Sequence, residues 1–465
     1  MGMFGSDLIR RASEIYEKLD IERIAEAGIH RNIENYEFVT TYPPIRAHRP
    51  ITQEDIFDGG NKARVVQFYI HIPFCTGKCA FCGRYLTISG ASQEEVDNYI
   101  NYLEKELELL ISIPDLQSMR IGYMYIGGGT PTYLTSKQLS RLISKVRSSL
   151  SISDDSEFTV EGSPETVTED KIKELLAGGV NRFSLGIQTY SDVVLKKSGR
   201  RHDSRKASET AKMVGQAGFN DFNIDLMTGL PLQSLESFED SLQRSIDDGA
   251  TSVTVYPLYV RPGCKMVGFD RRMFPTEKDS LMMQIMAKDF FEGRGFGGGP
   301  IHYFSRSKKE CDAYQEAKWK GAENLGLGVS TYQFFDNTQY HNHFVLDDYK
   351  GAIDSGRLPV WVGIRLDREE QIARSIVLKI KGGGEVNKED FISQFGVSPE
   401  EMYPETIAWL VGLDLIELTD AGIKLTYTGE LYSEEVAIQF YTKDTRRAIG
   451  SSGYVGYSVA ELPNF

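Results

Sequence analysis

Residues 68–87 read FYIHIPFCTGKCAFCGRYLT. Three of the five cysteines in the chain, Cys75, Cys79 and Cys82, fall within eight residues here, directly after an apolar, strand-like run from Val65 to Ile72. The C-x3-C-x2-C spacing puts three thiolates on one short loop, and such clusters bind soft metals or iron–sulfur centres. A structural zinc site takes four ligands, usually from two separated C-x2-C pairs. No fourth cysteine or histidine stands at ligand spacing. Three cysteines leave one iron of a cubane cluster open to a non-protein ligand, which suits catalysis.

The 465 residues permit two or three domains. With 41% hydrophobic and 25% charged residues the composition is that of a soluble globular protein. A net charge of −14 argues against nucleic acid as a partner. No run approaches the roughly 20 apolar residues that span a membrane, and the first twenty residues lack a signal-peptide core. An odd cysteine count with three clustered does not make a disulfide framework, so a cytoplasmic location is expected.

Residues 1–63 read as an N-terminal helical arm, with apolar residues at helical spacing from Leu8 to Ile24, and a proline-punctuated linker, TTYPPIRAHRP. That arm is expected either to fold over the barrel mouth or to strap the surface. From 64 to 294 short apolar strands (65–72, 121–126, 157–161, 182–187, 221–226, 253–259) alternate with amphipathic helices (92–112, 136–150, 168–178, 204–217, 234–248, 277–293). Ser92 with Glu95, and Thr135 with Gln138, have capping-box spacing. Six strand–helix units in series predict an α/β fold with a parallel sheet, either a partial barrel or a doubly wound sheet. Residues 295–365 are glycine- and aromatic-rich and read as short strands and loops closing one side of the barrel. Residues 366–465 read as a small α+β, winged-helix-like domain around the hairpin IELTDAGIKLTYTG, packed as a lid.

With Tyr69-Ile-His-Ile-Pro-Phe-Cys75, the cysteine stretch resembles the radical S-adenosylmethionine (SAM) enzymes, in the branch typified by oxygen-independent coproporphyrinogen III oxidase. The resemblance implies a (β/α)6 partial TIM barrel and a [4Fe-4S] cluster on Cys75, Cys79 and Cys82, with SAM on the fourth iron. A flavodoxin- or ferredoxin-type electron donor and a small-molecule substrate are implied with it. Gly127-Gly128-Gly129-Thr130-Pro131-Thr132 follows an apolar strand, and glycines there permit close backbone approach. It looks like the motif that binds the SAM amino group.

Glu161 and Gln188 end apolar strands, where barrel active sites form. Arg200 offers a planar fork for a carboxylate, and Asp225 sits inside an apolar run, so a partner must offset its burial. By the resemblance, Tyr69, Gly128 and Glu161 contact the cluster-bound SAM. Phe81, Gly129, Thr130, Gln188, Arg200 and Asp225 would contact a second SAM, with Tyr259 and Tyr332 at the remaining corresponding places. Cys264 and Cys311 read as structural. His71 reads as packed or hydrogen-bonded, and His341 and His343 as loop-stabilising.

Two departures redirect the reading. Coproporphyrinogen oxidase has a further cysteine where this chain has Arg84, and its tyrosine-alanine-histidine segment is replaced by Tyr256-Pro-Leu-Tyr-Val-Arg-Pro262. The latter phrase is similar to class C radical SAM methyltransferases and cyclopropanases. The expected function is therefore radical generation from one SAM and methylene transfer from a second to an sp2 carbon, with Tyr256, Tyr259 and Tyr332 as proton handlers or stacking groups. Porphyrin chemistry is the second reading, and a haem chaperone the third.

Overall fold

The strand that delivers the cysteine loop, β1 (Arg64–Ile72), alternates its faces. Val66, Phe68, Ile70 and Ile72 are fully buried towards the surrounding helices, while Gln67, Tyr69 and His71 turn to the other side. Five more strands repeat the theme: β2 (Met119–Gly128), β3 (Ile152–Gly162), β4 (Arg182–Gln188), β5 (Asp221–Thr228) and β6 (Ser252–Pro257). Each pairs in parallel with its predecessor. The intervening helices are α1 (Gln93–Ile111), α2 (Ser136–Ser149), α3 (Glu169–Ala177), α4 (Ser204–Gly215) and α5 (Leu235–Asp247), and α6 (Glu277–Glu292) follows β6. A further short helix, Asp192–Lys197, lies in the β4–α4 connection. Both expected capping boxes form, at Ser92 and at Thr135. In this computed structural model the described residues are 6–30, 41–57, 64–83, 88–260, 263–298, 302–306 and 312–449. Arg84, Pro262 and Cys311 lie outside them.

The sheet has more strands than the six expected, and its edges are completed on both sides rather than one. β7 (Tyr303–Ser305) pairs antiparallel with β6. On the opposite edge β8 (Asn324–Leu327) adds a seventh parallel strand beside β1, and β9 (Tyr332–Phe335), β10 (Thr338–Asn342) and β11 (Val360–Arg365) continue antiparallel. A buried carboxylate ties this extension to α1. Glu106 accepts hydrogen bonds from the Gly328 backbone N–H (2.7 Å), Asn342 Nδ2 (2.7 Å) and Tyr349 Oη (2.6 Å). Burial pushes its pKa up to about 7 against the pull of those donors.

The N-terminal helix Asp7–Tyr16 packs on the outer side of α6, where Arg11 reaches Asp289 at 2.8 Å. Tyr42 is buried against Tyr441, and Arg49–Pro50 pairs with β11. The described arm is therefore a strap along the outside. The C-terminal hairpin Ile416–Leu418/Gly422–Leu425 forms as expected and gains a third strand, Val386–Asn387. Among the described residues no helix is long and apolar enough to cross a membrane.

Candidate active site

The inward faces of β1 to β6 line a polar lumen with two distinct levels. At the lower level Arg182 is 1% exposed and fully partnered: its Nε lies 2.8 Å from Asp221 and its other terminal nitrogen 3.2 Å from Asp312. Glu157 accepts the backbone N–H groups of Ala313 (2.9 Å) and Tyr314 (3.3 Å), at the start of α7 (Ala313–Trp319). Burial and the neighbouring Asp312 push Glu157 up to about 7.

The upper level is built on the cysteine loop. The Ala80 N–H donates to the Ser198 carbonyl (2.9 Å), and the Ala80 carbonyl accepts from the Met266 N–H (3.1 Å), so two outer segments grip the loop between Cys79 and Cys82. The glycine motif at the end of β2 folds against the other side. The Gly129 N–H donates to the Ile72 carbonyl (2.7 Å) and the Thr130 N–H to the Phe74 carbonyl (2.8 Å), with Thr130 Oγ1 3.4 Å from Cys75 Sγ. A Cβ on Gly129 would stand 3.0 Å from Cys75 Sγ and 2.7 Å from the Phe74 oxygen. Gly128 has φ +116°, and a Cβ there would meet His71 at 2.8 Å. Only glycine permits this approach. Glu161 Oε2 accepts from the Gly128 N–H (3.2 Å) and Oε1 from Tyr125 Oη (2.8 Å). Tyr69 Oη lies 3.3 Å from His71 Nδ1.

Arg200 comes to the loop from beyond β4. One terminal nitrogen lies 3.2 Å from Cys79 Sγ, and the other donates to Ser163 Oγ (3.0 Å) and the Gly186 carbonyl. Its buried Nε has no hydrogen-bond partner. Burial disfavours its charge, but Cys79 and Glu165 outweigh that, so the guanidinium is held more firmly charged than usual. The carboxylate-binding role expected for Arg200 is thus joined by a contact with a cluster cysteine. Sequence reading missed its brace. Glu165 accepts from Thr76 Oγ1 (3.1 Å) and Ser163 Oγ (2.5 Å) and lies 3.2 Å from His202 Nδ1. Despite burial, His202, Arg200 and Ser163 hold its carboxyl well below the usual range. Nothing in the string GSPE marks this glutamate as different from any solvated one.

Gln188 has φ +77°, a conformation L side chains rarely adopt, at the lip of β4 near Gly186. Asp225 accepts from Asn223 Nδ2 (2.7 Å) and Ser184 Oγ (3.2 Å). Burial, then the Glu161 carboxylate, push its pKa up to about 7. Tyr256 follows Thr254 on the inward side of β6, and burial and Asp225 raise its phenol well above 10. Its side chain still keeps 37% exposure, because it faces the open lumen. Phe81 packs on a small apolar cluster containing Ala80, Val194, Leu258, Cys264 and Met266. Cys264 is therefore structural, as expected. Tyr332 stands apart from the loop on the β9 edge, its Oη accepting from Lys318 Nζ at 2.6 Å. Tyr259 is half-buried just beyond β6. His341 is buried, its ring 5.1 Å from that of His48.

Residues 69–244 match the model of the radical SAM superfamily. The chain is 30% identical to the heme chaperone HemW of Bacillus subtilis (strain 168) over 378 residues, covering 79% of this chain and 97% of that protein. It is 26% identical to the oxygen-independent coproporphyrinogen III oxidase of Escherichia coli (strain K12), over 82% of this chain and 86% of that protein. The solved coproporphyrinogen III oxidase (HemN) of Escherichia coli superposes with a TM-score of 0.77 at 24% identity, over 91% of this chain and 99% of that one. The chain belongs to the radical SAM superfamily. Within it, the branch is the one that holds HemN and HemW.

The residues present fit the family's cofactors. Three thiols, a glycine cradle that a Cβ would fill, and an unpartnered buried Arg200 Nε surround one place. Among the described residues no three His, Cys, Asp or Glu side chains converge on a single ion. In a polynuclear cluster each cysteine takes a different iron. Cys75, Cys79 and Cys82 would hold the [4Fe-4S] cluster, and Gly128 and Glu161 stand where SAM would be held.

Proposed function

We propose that the protein performs SAM-dependent radical chemistry on a tetrapyrrole in the lumen beneath the cysteine loop. The observation that carries this reading is the joint match to two relatives named for tetrapyrroles, spanning 97% and 86% of their lengths. It supports a tetrapyrrole substrate over the methyl acceptor expected from Arg84 and the segment 256–262. When bound, the reduced cluster and SAM supply a one-electron route to hydrogen abstraction from an unactivated carbon. The chain's own groups then exclude water and hold protons. Asp225, near 7, can hold or release a proton at working pH, and Tyr256 presents its phenol to the same space. A carrier has no need of such acid–base groups, so catalysis is favoured over haem delivery.

The test is anaerobic incubation of reconstituted protein with SAM, dithionite and coproporphyrinogen III. With a one-electron acceptor added to take the electron left after hydrogen abstraction, the expected products are 5′-deoxyadenosine, methionine, CO2 and a vinyl-bearing macrocycle. Haem uptake without either product would move the assignment to a chaperone. Methylene transfer from a second SAM, at Phe81, Gly129, Thr130, Gln188, Arg200 and Asp225, is the second reading. Tyr256-Pro-Leu-Tyr on the lumen rim favours it, and S-adenosylhomocysteine appearing with 5′-deoxyadenosine would establish it. Under either reading Tyr256 and Tyr259 would handle protons or stack on the substrate, and the same role for Tyr332 would need it to be reached from the β9 edge. Phe at each position should impair substrate turnover and spare SAM cleavage, and equal loss of both would remove the role.

A further inference from the structure

The two segments that grip Ala80 carry an unusual outer surface. Val194 and Met266 share the apolar cluster under the cysteine loop, yet their chain neighbours Val193 and Val267 are 63% and 61% exposed. The two segments touch directly, since Lys197 Nζ stands 4.6 Å from the centroid of the Phe269 ring. Around the valines lie Lys196, Lys197, Arg201 and Lys265, none of which is in an ion pair among the described residues. Arg201 abuts the loop itself, its guanidinium 2.3 Å from where a Cβ on Gly77 would be.

The local charge runs against the molecule. Residues 192–206 hold six Lys or Arg and two Asp in a chain of net charge −14; Arg200 turns inward to Cys79 and Arg205 lies 3.2 Å from Glu209, which leaves Lys196, Lys197, Arg201 and Lys206 for the surface. Both aspartates are engaged at helix starts: Asp192 accepts the Ser204 N–H and Asp203 the Lys206 N–H, each at 2.7 Å. Asp270 is held by Arg272 at 2.5 Å. Two touching segments that each expose a valine flanked in sequence by unpaired cations make a surface for an acidic partner. Its place decides which one. Ala80 directly follows Cys79, stands two residues before Cys82 and is hydrogen-bonded on both sides to this surface, so a redox group docked here would sit behind the loop that carries those thiolates.

We infer that this face, centred on Val193 and Val267, docks an acidic one-electron carrier protein of the flavodoxin class. The inference rests on the cluster assignment above. A flavodoxin hydroquinone, becoming the semiquinone, would supply the one electron that a [4Fe-4S] cluster held by Cys75, Cys79 and Cys82 would accept. Lys196, Lys197 and Lys265 steer the encounter, and the valines supply the dry contact.

The test uses the full chain with a purified flavodoxin and the triple variant K196E/K197E/K265E. Binding by fluorescence anisotropy should weaken about tenfold or more in the variant. In the wild type it should weaken between 50 and 300 mM NaCl, as steering by surface charge requires. SAM cleavage driven by reduced flavodoxin should fall in parallel, while cleavage driven by dithionite stays at the wild-type rate. The control K137E/K173E, on the far helices α2 and α3, should change neither. Unchanged flavodoxin affinity in the triple variant, equal loss in the control, or equal loss with dithionite overturns the docking face. Absence of dithionite-driven cleavage in the wild type would instead count against the radical reading and leave the binding result standing.

Discussion

The two levels of the lumen are made of the same residue types and do opposite things. At the lower level every charge of Arg182 is matched, by Asp221 at 2.8 Å and Asp312 at 3.2 Å, and Glu157 takes two backbone N–H groups. At the upper level Arg200 keeps a buried Nε without a partner, Gln188 is held at φ +77°, and two glycines let the backbone come too close to the loop for any methyl to fit. Saturated networks hold a fold together, whereas unsaturated ones hold something else. The difference fits a ligand-holding role above the Glu161 layer and a structural one below it.

The largest expected effect tests the upper level. Cys79→Ala removes one of three thiolates and the acceptor opposite Arg200. Reconstituted protein should lose most of its iron and its visible absorbance, and SAM cleavage should drop to background while the far-ultraviolet circular dichroism is kept. A variant that retains the full cluster would mean that Cys79 is not a ligand.

The lower level should answer differently. Arg182→Met leaves Asp221 and Asp312 buried without their cation, and breaking such a pair costs about 3–5 kcal/mol. Urea unfolding should show that loss even in protein never loaded with a cofactor. An unmoved midpoint would mean that the lower network contributes no stability, and the division between levels would fail.

How much of this division was legible in the sequence follows from the range of each signal. Local periodicity placed all six βα units of the barrel within a few residues, because each strand buries a contiguous apolar face. Cys75, Cys79, Cys82 and the glycine triplet were readable because their spacing is local. β8, only Asn324–Leu327 within a glycine-rich run, carries too few residues for any period, so the sequence predicts short strands and loops there but not a seventh parallel strand. Glu165, His202 and the contact of Arg200 with Cys79 join positions tens of residues apart, and only the closed barrel brings them together.

Gly129→Ala probes the cradle by a smaller step. The new methyl would press on the Phe74 oxygen and Cys75 Sγ, where relief requires the loop to shift by a few tenths of an ångström. Overpacking of this kind costs about 1–3 kcal/mol. The effect should appear mainly as weaker SAM binding by calorimetry, with the thermal midpoint nearly kept. A large fall in the midpoint with unchanged SAM affinity would place Gly129 among the purely structural residues.

Asp225 gives the smallest change per step of pH and the most diagnostic one, since it sits between the levels. Its folded pKa is raised from 3.8 to about 7 by burial and by Glu161. Between those two values the unfolded chain has released the proton and the folded chain still holds it, so stability must fall as pH rises. One proton gives a slope of at most about 1.4 kcal/mol per pH unit. The carboxyl is partly exposed to the lumen, so water there reduces the slope further. Asp225→Asn keeps an acceptor for Asn223 Nδ2 and removes the titration. Glu106 and Glu157, also near 7, are present in both proteins and cancel in the difference. Unfolding measured from pH 4 to 8 should therefore show the variant gaining on the wild type as pH rises, with the gap levelling off above 7. A gap that is flat with pH would mean that lumen water already solvates the carboxylate, and Asp225 would then belong with ordinary ionised residues and lose its place as a proton holder.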